Sequence, residues 1–235
     1  MSFITKISCI SAGVVFIALA KSSITQAATI TLESARLDTT GQRDGIVISS
    51  DESIGTNQFL GWRFQLTNPL QVTDIGGHLA SRSNFGNGEI FGAIISLSNS
   101  NAIPQGEPFK LGEVPGQVLA TTSFNPGFPS RDVTVPLFVT LNPGNYALIF
   151  GTGLFGASGY GFMPRSQQDF PGSSYFFSVD TFWEGGSNFS SVRFVVKGES
   201  DIFTSIPEPT CTLGLLTLGI SGAGLLRKRK HKQGC

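Results

Sequence analysis

The chain has 235 residues, of which 40% are hydrophobic and 14% charged, a composition too apolar for a disordered protein. Its formal net charge is zero, but residues 28–206 hold nine Lys/Arg and fifteen Asp/Glu, whereas residues 227–232 hold five Lys/Arg and no acid. The acidic body argues against a nucleic-acid surface, which requires positive charge. All three cysteines (Cys9, Cys211 and Cys235) lie outside this body, so it holds no disulfide, metal-thiolate site or thiol nucleophile.

The N-terminal residues have the pattern of a secretory signal peptide. Lys6 precedes a mostly apolar stretch at residues 7–20, and a polar segment then ends in Thr25-Gln26-Ala27-Ala28. Charge, a short apolar core and small residues follow one another in the order that signal peptidase recognises. The apolar stretch is too short to span a bilayer comfortably. Residues 1–27 are therefore predicted to be removed by cleavage after Ala27, with cleavage after Ala28 as the alternative.

Residues 28–197 are predicted to form one extracellular β-domain. The clearest strand lies at residues 59–66, where every second residue from Leu60 to Leu66 is apolar. Further strands are predicted at residues 29–37, 70–79, 90–97, 118–124, 133–139, 145–150, 175–179, 181–183 and 192–197. Gly or Pro interrupts every candidate helix. Many short strands separated by turn residues predict an all-β fold, an antiparallel β-sandwich or jelly roll, followed by a linker at residues 198–205.

The body contains no convincing catalytic set. Its one histidine, His78, has no nucleophile motif near it in sequence, so an ordinary, partly exposed histidine is the expectation. Glycoside hydrolysis needs two facing carboxylates. Candidate acids are Asp51, Glu52, Asp169, Asp180 and Glu184, and no spacing singles out a pair. No catalytic residue and no cofactor is therefore assigned.

A calcium site is the one metal site that the acidic residues of the body could form. Asp38, Asp44, Asp51 and Glu52 lie close together in sequence, and calcium prefers six to eight oxygen ligands. Their spacing does not match an EF-hand loop. No metal ligand is therefore assigned.

The region from residue 153 to residue 186 is rich in glycine and aromatic residues. Exposed rings in loops could stack on sugars, and Tyr160, Tyr175 and Trp183 are the candidate ligand surface. The competing interpretation is a hydrophobic core. The adjacent pair Phe176-Phe177 favours it, because neighbouring side chains of a strand point to opposite faces.

The C-terminal segment combines a rigid acidic motif, an apolar stretch and a basic cluster. Pro207-Glu208-Pro209 should be extended and exposed, since each proline restricts the residue before it. Residues 210–226 contain no charge and would be about 25 Å long as a helix, enough for a short membrane span. The cluster Arg227, Lys228, Arg229 and Lys230 then acts as a stop-transfer signal. The prediction is a transmembrane helix at about 210–226, with the basic tail 227–232 in the cytoplasm.

In its three parts and their order, this segment, residues 206–232, resembles the PEP-CTERM sorting signal of exported bacterial proteins. The departures are Thr210, Cys211 and Thr212 at the start of the apolar span and His231 in the basic cluster. The resemblance implies that Pro207, Glu208 and Pro209 are recognised by an exosortase, a membrane-embedded transpeptidase. Such proteins commonly accompany exopolysaccharide production. The body is similar, more loosely, to β-rich choice-of-anchor domains through Asn142-Pro143-Gly144-Asn145-Tyr146.

The sequence thus predicts an exported bacterial surface or extracellular-matrix protein with a non-catalytic β-domain that has a structural, adhesive or polysaccharide-binding role. Its precursor would sit in the inner membrane with a cytoplasmic C-terminus before reaching the cell surface or matrix. The expected partners are signal peptidase, an exosortase-type enzyme, the membrane and a polysaccharide, with no nucleic acid. Two alternatives remain open. One is a secreted carbohydrate-active enzyme, and the other is a permanently membrane-anchored protein.

Overall fold

The computed structural model describes residues 28–37, 45–48, 59–81, 88–165, 168–179, 181–185 and 191–200. These residues form twelve β-strands and a 3₁₀ turn at Pro108–Lys110. The strands are β1 (Ala28–Glu33), β2 (Gly45–Ile48), β3 (Leu60–Leu66), β4 (Leu70–Ser81), β5 (Ile90–Leu97), β6 (Val118–Phe124), β7 (Arg131–Leu141), β8 (Gly144–Gly151), β9 (Gly161–Pro164), β10 (Ser174–Val179), β11 (Phe182–Gly185) and β12 (Phe194–Ser200). The predicted all-β class is confirmed.

The strands divide into two six-stranded antiparallel sheets. The first sheet has the order β1-β12-β4-β9-β2, and β7 also pairs with β4. The second sheet has the order β11-β10-β3-β8-β5-β6. The first and last of these strands along the chain, β1 and β12, lie side by side. The first sheet is therefore complete only when both ends of the domain are in place.

Successive side chains of β3 point alternately to the two faces of its sheet, and this alternation explains why the two sheets pack face to face. Every second side chain from Leu60 to Leu66 is buried in the main core, as its period-two pattern predicts. Phe150 of the second sheet stacks on Phe194 of the first, with ring centroids 5.3 Å apart. Contacts of this kind join the sheets into a β-sandwich-like fold, in which the inner faces share one apolar core.

The outer face of the second sheet carries a separate hydrophobic core. Its buried members are Phe59, Phe91, Ala93, Ile95, Leu111, Ala147, Ile149, Ala157, Phe176 and Trp183. Residues 98–117, which link β5 to β6, cover this face and contribute Leu111 and the partly buried Phe109. Strands β5 and β8 are consequently buried on both faces, which accounts for their nearly continuous apolar runs.

Arg63 of β3 fastens the covering segment to the second sheet. Its Nε donates a hydrogen bond to the carbonyl oxygen of Ala102 at 2.7 Å, and Nη1 donates to Ser174 Oγ at 2.9 Å and to the Tyr175 carbonyl at 2.7 Å. The guanidinium also lies 4.8 Å from the ring centroid of Phe176. Burial lowers the pKa of Arg63 from its usual value.

The strand registers place both ends of the described domain at one end of the sandwich. Ala28, the first residue of β1, is opposite Ser200, the last residue of β12. Ser200 Oγ donates a hydrogen bond to the carbonyl oxygen of Pro69 at 3.2 Å, so the turn at residues 67–69 lies at the same end. We call this end of the molecule the Ser200 end.

Two more connections lie at the Ser200 end. Leu141 is opposite Leu70, which places the turn at residues 142–143 beside the turn at residues 67–69. Leu97 is opposite Asn145, so residues 98–101 leave β5 at this end as well. The opposite end of the sandwich, where β12 begins, is called the Arg193 end.

The strand boundaries differ from the sequence-based expectations at several places, and β2 was not among the predicted strands. Strand β1 ends at Glu33, whereas the prediction extended it to Leu37. Strand β12 continues to Ser200, three residues into the predicted linker at 198–205. Strand β9 was not predicted. It is short, lies in the glycine-rich region and ends in Pro164.

The predicted signal peptide and the predicted transmembrane helix at about 210–226 lie outside the described residues. Within the described ranges, no helix is long and apolar enough to cross a membrane.

Candidate functional site

Polar and charged side chains concentrate at the Arg193 end, where the end of β1 meets the start of β12. The amide of Ser34 donates a hydrogen bond to the Phe194 carbonyl at 3.1 Å, which extends the pairing of these strands by one step. Glu33 and Arg193 contact each other through their side chains, while Ser34 is fully buried beside them. The result is two adjacent polar networks, one partly exposed and one buried.

The partly exposed network is centred on Arg193. Its Nη1 and Nη2 donate to the two carboxylate oxygens of Glu33 at 2.7 and 2.8 Å, and Nη1 also donates to the Ala35 carbonyl at 2.8 Å. Its Nε donates to Asp132 Oδ2 at 3.2 Å. The hydrogen bonds to Glu33 raise the pKa of Arg193 above its usual value, since they favour the charged form.

His78 extends this network to a fourth strand. Its Nδ1 lies 3.0 Å from Asp132 Oδ1, and the residue is 7% exposed. His78 and Asp132 are directly opposite each other in the β4–β7 pairing. The sequence indicated an ordinary, partly exposed histidine, but the structure places it in a mostly buried position within a charged network.

The buried network is centred on Tyr175. Its hydroxyl donates to Asp169 Oδ1 at 2.6 Å, and the same oxygen accepts a hydrogen bond from the Ser191 amide at 2.8 Å. Ser34 Oγ donates to the Val192 carbonyl at 2.5 Å and accepts from the Phe194 amide at 2.8 Å. Burial, and secondly the hydrogen bond to Asp169, raise the pKa of Tyr175 well above its usual value.

The acids of these two networks are bonded to partners within the domain. A glycosidase needs one acid that can protonate the leaving group and a facing carboxylate with free access to substrate or water. Here Arg193 binds both Glu33 and Asp132, and Asp169 is held by Tyr175 and Ser191. The bidentate, charge-assisted pair of Arg193 with Glu33 fixes that carboxylate firmly in place.

The residues described by the structure contain no group of three or more His, Cys, Asp or Glu side chains that could hold a metal ion. The acids considered for calcium, Asp38, Asp44, Asp51 and Glu52, lie outside these residues.

Two of the three predicted aromatic ligand residues are buried. Tyr175 is 5% exposed and belongs to the main core, and Trp183 is 8% exposed and belongs to the second core. Tyr160 is half-buried. The rings of Tyr175 and Trp183 are thus enclosed by other side chains and present no face to a ligand, which corrects the expectation of exposed rings there.

Other aromatic rings are exposed instead. They are Phe128 at 66%, Phe138 at 74%, Phe155 at 36% and Phe182 at 72% exposure. Phe155 and Phe182 lie within the region that the sequence singled out. Phe155 also has a φ of 53°, a left-handed conformation that is costly for a bulky residue. The sequence could not identify these four among 20 phenylalanines, because the identity of a residue does not show whether its side chain packs in the core.

The other sequence-predicted residues lie mainly outside the described part of the chain. These are Ala27, Pro207, Glu208, Pro209, Arg227, Lys228, Arg229 and Lys230. Ala28 is described and begins β1. A shallow cavity of about 260 Å³ lies between residues 96–98 and 114–117, with Ile103 and Gln105 on its wall. It contains none of the predicted site residues.

No protein-family profile matches the chain, and no curated protein does. Among solved structures, the chain is similar to an aminopeptidase from the marine sediment archaeon Thaumarchaeota archaeon, with 14% identity and a TM-score of 0.26. The alignment covers 75% of this chain and 31% of the aminopeptidase. The chain therefore spans about a third of that protein's length, and a similarity this weak supports no functional conclusion.

Proposed function

We propose that this protein is an exported bacterial surface or extracellular-matrix protein with a non-catalytic, polysaccharide-binding β-domain. It is made with a signal peptide and is held in the inner membrane by a C-terminal helix. An exosortase-type enzyme then processes it at Pro207-Glu208-Pro209, and the domain reaches the cell surface or the matrix.

The observation that carries the proposal is the position of the domain between the two processing signals. Strand β1 begins at Ala28, next to the predicted cleavage site, and β12 ends at Ser200. Six residues separate Ser200 from Pro207. The described strands therefore lie within the interval between the two predicted signals, and removal of the tail would leave these strands intact.

The state of the acidic side chains supports a binding role over a catalytic one. Glu33, Asp132 and Asp169 each accept charge-assisted or backbone hydrogen bonds from partners within the domain. Breaking such pairs to bind substrate would leave a partly buried charge without a partner, which is costly.

The exposed aromatic rings support polysaccharide binding. Phe182 lies on β11, an edge strand of the second sheet, and Phe155 lies in the loop after β8. An exposed aromatic ring offers a flat apolar face that can stack on a sugar ring. We assign the sugar contact to these two rings in place of Tyr175 and Trp183.

A glycan array tests this assignment. Phe182→Ala should weaken polysaccharide binding by roughly 3- to 10-fold, the effect of losing a ring contact of about 0.5–1.5 kcal/mol. Phe138→Ala is the matched control, because Phe138 is equally exposed but lies on β7 of the first sheet. Equal losses in both variants would contradict the assignment.

An assay for reducing-sugar release separates binding from hydrolysis. The protein should bind the glycan and release no reducing ends. Hydrolysis that is abolished by Asp169→Asn or Asp180→Asn, with circular dichroism confirming that the variant is folded, would overturn the proposal and favour the carbohydrate-active enzyme.

A further inference from the structure

We propose that the Ser200 end of the sandwich is a membrane-facing surface that lies against lipid headgroups while the precursor is anchored. This inference rests on the C-terminal membrane helix of the proposed function. It adds which surface of the domain contacts the bilayer and which surface is presented to the cell exterior.

The strand pairing determines where the chain leaves the domain. Ser200 ends β12 opposite Ala28, and its hydroxyl donates to the Pro69 carbonyl. Nine residues, 201–209, separate Ser200 from the predicted membrane helix at about 210–226. A fully extended chain of that length spans at most about 30 Å. The Ser200 end is therefore the part of the domain that the tether holds closest to the bilayer.

The surface chemistry of the Ser200 end fits this position. The two short turns at this end and the first residues of the 98–117 connection are exposed and comprise Thr67, Asn68, Pro69, Ser98, Asn99, Ser100, Asn101, Asn142 and Pro143, whereas the charged residues of that connection, Glu107, Lys110 and Glu113, come later in it. None of the residues in the two turns or at positions 98–101 is ionisable. Glu199 is the nearest described acid on the adjoining strand β12. Amide and hydroxyl groups can exchange hydrogen bonds with water for hydrogen bonds with headgroups, without the desolvation cost of a charge.

The Arg193 end has the opposite character. Among the described residues, the charged side chains in its strand ends and connections include Glu33, Arg36, Glu89, Arg131, Asp132, Arg165, Asp169, Glu184 and Arg193. The domain as a whole is acidic, and bilayers that contain anionic lipids repel negative charge over a Debye length of about 10 Å. A neutral surface at the tethered end lets the domain approach such a bilayer. The charged end and the exposed Phe155 then face away from it.

Site-specific fluorescence quenching tests the orientation. The body contains no cysteine, so the full chain with Cys9, Cys211 and Cys235 replaced by serine accepts a single new label. Ser100→Cys labels the Ser200 end, and Ser130→Cys labels the loop between β6 and β7 at the other end. Both positions are exposed serines. The proteins are reconstituted into phosphatidylethanolamine–phosphatidylglycerol vesicles that carry nitroxide headgroups.

We expect quenching of the label at position 100 to be several-fold stronger than at position 130. A flexible Gly/Ser insertion of several times the length of residues 201–206 should largely remove this difference. The double variant Asn68→Asp/Asn142→Asp adds two negative charges to the Ser200 end. It should reduce quenching at position 100 on these anionic vesicles but not on purely zwitterionic ones, because only anionic headgroups repel the added charges when this surface lies against the lipid.

Flotation of the vesicles tests the membrane anchor separately from the orientation of the domain. Failure of the protein to float with vesicles would overturn the membrane anchor and the orientation together. Flotation with equal quenching at positions 100 and 130, or with stronger quenching at position 130, would overturn the orientation alone.

Discussion

Arg193 binds Glu33 through two parallel hydrogen bonds of 2.7 and 2.8 Å, although 160 positions separate the two residues in sequence. The pair links β12 to β1, the strands that carry the two ends of the domain. The Arg193 side chain is 12% exposed and the Glu33 side chain 27%. The ion pair is therefore shielded from most of the solvent that weakens surface pairs.

Arg193→Ala should lower the free energy of unfolding by about 2 kcal/mol, because it leaves Glu33 and the Ala35 carbonyl without their donor. Urea denaturation of the purified domain measures this change. Lys110→Ala is the matched control. It removes an ion pair with Glu107 in which both side chains are about half exposed, and its effect should stay below about 1 kcal/mol. Equal losses would show that the Arg193 network does not stabilise the closure of β1 on β12.

Tyr175→Phe should lower the free energy of unfolding at neutral pH by about 1–2 kcal/mol, because Asp169 loses the hydroxyl that donates to it. The substitution should also change how the free energy of unfolding varies at alkaline pH. Burial and Asp169 raise the pKa of Tyr175 in the folded protein, so its contribution is complete below the unfolded pKa of about 10 and declines as the pH rises above that value.

Urea midpoints measured at a series of pH values test this linkage. Above pH of about 10 the wild type should lose stability more steeply than Tyr175→Phe, because only the wild type must keep this buried phenol protonated. Tyr146, whose pKa burial also raises, is present in both proteins and cancels in the comparison. Parallel pH profiles would contradict the assigned environment of Tyr175.

Gly61→Ala should destabilise the protein by about 1–3 kcal/mol, the usual cost of overpacking. A Cβ at this position in β3 would lie within 2.1 Å of Phe176 Cζ. Gly185→Ala is the matched control on the edge strand β11 of the same sheet, because nothing lies within 4 Å of a Cβ there. Thermal unfolding compares them. The double variant Gly61→Ala/Phe176→Leu should be more stable than the sum of its single changes predicts.

Arg63→Lys should loosen residues 98–105 without unfolding the sandwich. The lysine keeps the charge but cannot reproduce the three hydrogen bonds and the planar stacking on Phe176. Amide hydrogen exchange should become faster in this segment, whereas exchange in β8 should stay unchanged. Arg131→Lys, at an exposed position, serves as the control. Unchanged exchange at residues 98–105 would mean that Arg63 does not fasten the covering segment.

The sequence predicted the strands whose apolar residues alternate, because alternation by itself specifies a half-buried strand. Strand β3 is the clearest example, from Leu60 to Leu66. Strand β9 has four residues, and one is glycine and one proline, so its pairing with β2 depends on tertiary contacts. The nearly continuous apolar runs of β5 and β8 indicated burial on both faces. The second core could therefore have been expected from them.

The candidate site was less predictable than the fold. Glu33, Asp132 and Arg193 come together only through the β1–β12, β12–β4 and β4–β7 registers, which composition and local spacing do not encode. The aromatic region was correctly recognised as mainly core at Phe176. The exposure of Phe182 follows from the edge position of β11, and that position is a property of the whole sheet.

The central claim is that the domain between Ala28 and Ser200 is exported and separated from its C-terminal tail. Intact-mass spectrometry of the protein recovered from its native host tests this claim most directly. The mature chain should begin at Ala28 or the next residue and lack the Arg227-Lys228-Arg229-Lys230 cluster, and Glu208→Gln should restore the tail. A mature chain that keeps this cluster would contradict the account and favour permanent anchoring in the membrane.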